Sequence, residues 1–200
     1  MKRVGIEKAE QRLSQARKHG IRLSELAQGL DVPAFEYEWF QFLSALDSVF
    51  EVLCTTARKD PTSKQWWFGG PEKEVTKQNP ILRFLHHARG ADFHGLECGT
   101  APDVTGADYQ GYVQDPPFSM TFVGDDGEEF TMKGGAIHLL GNFESFTFRY
   151  RLVPVTNQRS VVFDPPTRHD GTPLSPIEAV RSSLEYYAQL VSRAQQRMTL

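Results

Sequence analysis

Phe35-Glu36-Tyr37-Glu38-Trp39-Phe40-Gln41-Phe42-Leu43-Ser44-Ala45-Leu46-Asp47-Ser48-Val49-Phe50-Glu51-Val52-Leu53 is the stretch on which the fold turns. Phe35, Trp39, Phe42, Leu46, Val49 and Leu53 recur at spacings of four, three, four, three and four, so they line up on one face of an α-helix. Leu43 and Phe50 widen the stripe, while Glu36, Gln41, Asp47 and Glu51 take other faces. Asp31-Val32-Pro33 precedes it, and proline suits a first helical turn because its missing N–H would have no partner there. The spacing predicts a core helix of about six turns.

Upstream, Ile6, Ala9, Leu13 and Ala16 recur among charges and predict a helix over Val4 to Lys18, closed by Gly20. Downstream, Lys59 to Lys77 holds Pro61, Gly69, Gly70 and Pro71 around Trp66-Trp67-Phe68, which reads as a loop pinned by aromatic rings. Those rings are expected to close over the core, although exposed tryptophans also stack bases or anchor partners. Another helix starts near Pro80. From Thr100 the pattern changes to period two. Ser119–Val123 and Glu129–Met132 flank Gly124-Asp125-Asp126-Gly127, a hairpin signal, and Phe146, Phe148, Tyr150 and Leu152 alternate with polar residues. With Ser160–Phe163 these segments predict a small antiparallel sheet of about three to five strands, on which Arg149 and Arg151 form the solvated side. Ser175-Pro176-Ile177-Glu178 is a capping box, and Ile177, Val180, Leu184, Tyr187, Val191 and Ala194 form the buried stripe of a final helix.

Two hundred residues suit one well-buried domain, and 40% apolar with 24% charged residues is ordinary for a globular chain. A net charge of −3 argues against general coating of nucleic acid, so any RNA contact must be local. Cys54 and Cys98 have no zinc-type spacing and make no disulfide framework. With no membrane span or signal peptide evident, a cytoplasmic protein without metal or cofactor is expected.

Chemistry gathers at Leu82-Arg83-Phe84-Leu85-His86-His87-Ala88-Arg89-Gly90-Ala91-Asp92-Phe93-His94-Gly95, where two arginines, three histidines and an aspartate share one helix end. Arg89 on a last turn and His94 just beyond it can face one pocket. An imidazole can take the proton of a 2′-hydroxyl or give one to a leaving oxygen, and a guanidinium can hold phosphoryl oxygens as their charge grows. Asp92 either reaches the imidazole or caps the helix end. Arg83 and His87 could extend the anion-binding surface, with one of His86 and His87 expected buried and the other solvated. Ligand types alone would allow a metal at His87, His94, Glu97 and Cys98, but the spacing matches no metal-binding pattern. The charges of Arg168-His169-Asp170 and of Lys8, Arg12 and Lys18 need no role beyond exposure.

The segment Pro80 to Gly95, preceded by the aromatic helix Phe35 to Leu53 and followed by a capped helix, resembles the HEPN (higher eukaryotes and prokaryotes nucleotide-binding) superfamily. Its signature is an Arg, usually a polar residue next, and a His four to six positions after the Arg; Arg89 and His94 match the fixed positions. The residue patterning gives an α+β chain in which a four-helix HEPN-like bundle, residues 1–98 and 174–200, carries a small antiparallel sheet at about 108–165, inserted before the last helix; the resemblance itself implies an all-α bundle of four or five helices, in which the sheet has no counterpart. It implies a metal-independent endoribonuclease of toxin or defence type, with a homodimer forming the pocket. On that reading Arg89 would hold phosphate, His94 would be the acid/base, Asp92 or His87 would assist, and Arg83 and His87 would bind substrate. Where active members carry a polar residue after the Arg, this chain has Gly90. The alternative is a non-catalytic module that dimerises or binds a protein partner. An open pocket shared by Arg89 and His94 would favour the enzyme; a buried His94, or an Arg89 held by a carboxylate, would favour the module.

Overall fold

In the computed structural model the chain is described over residues 1–29, 31–93, 98–105, 119–123, 129–133, 136–137 and 147–197. These residues form an α+β arrangement that is mostly helical. Helix α1 (Arg3–Leu26) lies along α2 (Val32–Arg58), and α2 starts where Asp31 Oδ1 accepts from Ala34 N at 3.1 Å with Pro33 in the first turn. Phe35, Trp39, Phe42, Val49 and Leu53 of the expected stripe are wholly buried, each large side chain stabilising the fold by roughly 1.5–3 kcal/mol.

Two expectations around this pair are corrected. Helix α1 does not close at Gly20 but runs on to Leu26. Gly20 is buried, and a Cβ there would lie 3.0 Å from Val180 Cγ1 and 3.2 Å from Leu184 Cδ1, so the glycine serves close helix approach rather than a stop. The interval read as a loop is helical: α3 (Pro61–Gly69), α4 (Pro71–Lys73) and a π-helical turn at Glu74–Gln78. Pro61 and Pro71 begin their helices, where proline's fixed φ is an asset, and Asp60 Oδ2 caps α3 by accepting from Ser63 N at 3.1 Å. Trp67 is fully buried with its ring centroid 5.4 Å from that of Phe50. Trp66 and Phe68 are half-buried under the guanidinium groups of Arg197 and Arg58, so this aromatic run closes the core.

After α5 (Pro80–Phe93) the chain turns to strands. β1 (Thr100–Thr105), β2 (Ser119–Val123), β3 (Glu129–Lys133), β4 (Ala136–Ile137), β5 (Thr147–Leu152), β6 (Val155–Thr156) and β7 (Val162–Phe163) pair antiparallel. The expected hairpin is β2–β3, with Phe122 opposite Phe130. The strands do not make one sheet among the described residues; they form the ladders β1–β5, β2–β3–β4 and β6–β7. Pro154, which has no N–H to donate, separates β5 from β6. Tyr150 stacks on Phe35 at 3.6 Å and 4°, fastening β5 to the start of α2, while Arg149 and Arg151 on alternate positions are exposed.

Helix α6 (Pro176–Gln196) has the expected capping box and packs against α1 and α5. Arg168 is exposed as expected, and it also has a partner: its Nη2 donates to Glu178 Oε1 at 2.7 Å and to Oε2 at 2.6 Å. Those bonds, with the Ser175 backbone N–H, hold the Glu178 carboxyl down to about 2. Among the described residues no helix is long and apolar enough to cross a membrane.

Candidate functional site

Helix α5 begins where Asn79 Oδ1 accepts from Ile81 N at 3.0 Å and Leu82 N at 3.2 Å. Leu82, Phe84, Leu85, Ala88 and Ala91 bury one face of it. That burial fixes its rotation, and His86 and Arg89, three residues apart, come together beside Asp47 of α2. Arg89 Nε lies 3.4 Å from Asp47 Oδ2, and His86 Nδ1 lies 3.7 Å from Asp47 Oδ1. The Asp47 carboxylate is 19% exposed and the Arg89 side chain 31%, an environment between surface and core. An ion pair as accessible as Arg89–Asp47 contributes about 1 kcal/mol at best, so the arrangement says more about orientation than about stability.

The three side chains line an open cleft of about 470 Å³, within the roughly 300–1,000 Å³ range of small-ligand sites. Glu51, one turn further along α2, and Gly90 continue the lining. Asn157, Gln158 and Arg159, from the turn joining β6 to β7, supply the rest. Beneath the trio, Leu43, Leu46, Leu82, Leu85 and Tyr187 surround a narrow space of about 10 Å³, roughly the size of one water. Burial pushes the Tyr187 phenol up, so it stays protonated.

Each residue read from the sequence takes a definite place or falls outside the described region. Arg89 lines the cleft and is held by a carboxylate. His87 also lines it, but its ring stacks on Phe163 at 3.5 Å and 19°, and burial, helped by the charges of His86 and Arg83, lowers its pKa to about 4. A ring that is neutral at pH 7 and committed to a stack anchors β7 to α5 instead of attracting phosphate. Arg83 is exposed and is not among the cleft's lining residues. The expectation that one histidine of the pair is buried and one solvated is corrected, because both are half-buried and both line the cleft. His94, Glu97 and the side chain of Asp92 lie outside the described residues. Among those described, no group of three or more His, Cys, Asp or Glu side chains could hold a metal.

Gly90 lines the cleft, and a Cβ built on it meets no described atom within 4 Å. Sequence reasoning missed Asp47 and Arg159. Asp47 left a signal, since it stands four residues after Leu43 and three before Phe50, inside the apolar widening of the helix. Arg159 left none, because only the β6–β7 pairing brings its turn to the cleft. No family model, no curated protein and no solved structure matches the chain.

Proposed function

We propose that the chain is an HEPN-like, metal-independent endoribonuclease of toxin or defence type, working as a homodimer, whose cleft beside Asp47 receives the scissile phosphodiester. The observation that supports this reading is that the Arg89 guanidinium and the His86 imidazole line one open cleft together. In the reaction, His94 takes the proton of the 2′-hydroxyl and the freed oxygen attacks phosphorus. A new 2′-O–P bond forms, the P–O5′ bond breaks, and the leaving oxygen receives a proton, giving a 2′,3′-cyclic phosphate and a 5′-hydroxyl. Arg89, oriented by Asp47, stabilises the charge that builds on the phosphoryl oxygens. His86, which lines the same cleft beside Asp47, is a second imidazole for that chemistry. Asp92 assists His94, and Arg83 meets flanking RNA on the open surface.

A second reading, the non-catalytic module that dimerises or binds a protein partner, is favoured by the Asp47–Arg89 ion pair and by Gly90. A carboxylate on the guanidinium offsets the charge a phosphate would seek. Incubation of the purified protein in EDTA with an oligoribonucleotide and with DNA of the same sequence separates the two. The enzyme cuts the RNA to cyclic-phosphate ends and leaves the DNA, which lacks the attacking hydroxyl. RNA left intact would leave the module as the reading.

A further inference from the structure

The turn between β6 and β7 is built more firmly than a passive connection requires. Asn157 Oδ1 accepts from Arg159 N at 2.9 Å and from Val161 N at 3.0 Å, and Ser160 N donates to Asn157 O at 2.9 Å. Ser160 has φ +59°, the only non-glycine residue with positive φ among those described, and such backbone costs of order 1 kcal/mol or more. Both ends of the turn are fastened to the helices: Val155 is wholly buried and its strand packs on α5, while Phe163 stacks on His87. The effect is to hold the tip at the cleft, where Arg159 and Gln158 share the lining with Arg89 and Glu51. The Arg159 side chain is exposed and has no ion-pair partner among the described residues.

We infer that the β6–β7 turn is a substrate strap, in which Arg159 binds the phosphate next to the one held at Arg89 on a single RNA strand. This rests on the proposed RNA-binding role of the cleft. The charges make the case specific. Asp47 and Glu51 balance Arg89 and Arg159, so the cleft does not attract polyanions at large. It suits instead a short piece of strand whose phosphates fall on the two guanidinium groups and whose hydroxyls or base N–H groups fall on Glu51 and Gln158. The volume of about 470 Å³ favours a single strand over a duplex, whose recognition runs over many base pairs. Because Arg159 contacts bound phosphate and takes part in no proton transfer of the proposed reaction, it is a positioning residue for bound substrate.

The test is fluorescence anisotropy of a labelled, 2′-O-methylated 8-mer, which cannot be cut, titrated with the full chain across a series of salt concentrations. Cleavage of the unmodified 8-mer is followed separately. Arg159→Ala is expected to weaken binding about tenfold and to flatten the plot of log affinity against log salt by about 0.7, the loss of one phosphate contact on a single strand. Arg159→Lys keeps the slope because it keeps the charge. Arg149→Ala, which removes an exposed arginine elsewhere, changes neither. An unchanged slope in Arg159→Ala, or no binding by the wild type, overturns the strap. Binding that responds to Arg159 with no cleavage of the unmodified strand supports the strap and refutes the nuclease instead.

Discussion

His87 shows how far a residue's setting can depart from its apparent role. Beside another histidine and between two arginines it reads as a phosphate ligand, but its stack on Phe163 makes it an apolar anchor. Its pKa is lowered from 6.5 to about 4, so between those values the unfolded chain holds a proton that the folded one lacks. Stability from this residue is therefore complete above pH 6.5 and is lost as the pH falls toward 4, by roughly 2 kcal/mol once solvent screening of a half-buried ring is allowed for. Urea melts at pH 7 and pH 5 should show a little over half of this loss, and His87→Phe should shrink it while keeping the stack. Gly90 invites the opposite kind of change. It lies inside α5, where a Cβ would meet no atom of the described residues within 4 Å, so Gly90→Ala should raise stability by about 0.5–1 kcal/mol, read as a higher melting temperature. A lower one would mean that the glycine is needed for its backbone. Arg89 and its neighbours were legible as a cluster because residue types declare their chemistry locally. Asp47 was overlooked because its importance comes from α5, which approaches it across a separation of about forty residues in the chain.

At the scale of elements, periodicity carried α2 and α6 well because one unbroken apolar stripe and a capping box leave little choice. It failed where proline and glycine have two meanings. Pro61 and Pro71 open helices, and Gly20 lets α6 approach α1; each was read as a breaker because the sequence alone does not say which neighbour arrives. Gly5 is a second such contact. A Cβ on it would come within 2.9 Å of the Thr56 Cβ, so the whole side chain of a residue on α2 stands in the way. Gly5→Ala is expected to push α1 off α2 at a cost of about 1–3 kcal/mol, despite alanine's better helix propensity, and calorimetry would register it as a lowered melting temperature. An unchanged melting temperature would mean that the helices can separate there freely. The β6–β7 hairpin was legible only in part: Ser160–Phe163 was read as a strand, but the turn that carries Arg159 owes its position to Phe163 meeting His87.

For the whole molecule, long helices on α2 and short antiparallel ladders divide the work. The helices bury the aromatic core and bring α5 to α2, while the ladder β6–β7 brings a basic tip to the same cleft. The HEPN-like reading concerns the first half of this arrangement, and the strap concerns the second. Neither follows from composition, since a chain of net charge −3 must earn any RNA contact at one place. The central claim is that Arg89 and His94 cut RNA without metal, and it is tested most directly by the rate of oligoribonucleotide cleavage in EDTA for the wild type, Arg89→Ala and His94→Ala, each verified as folded by its melting temperature. The account predicts cyclic-phosphate products from the wild type and a fall of about 10²–10³-fold in each variant. Equal rates in all three proteins would contradict it.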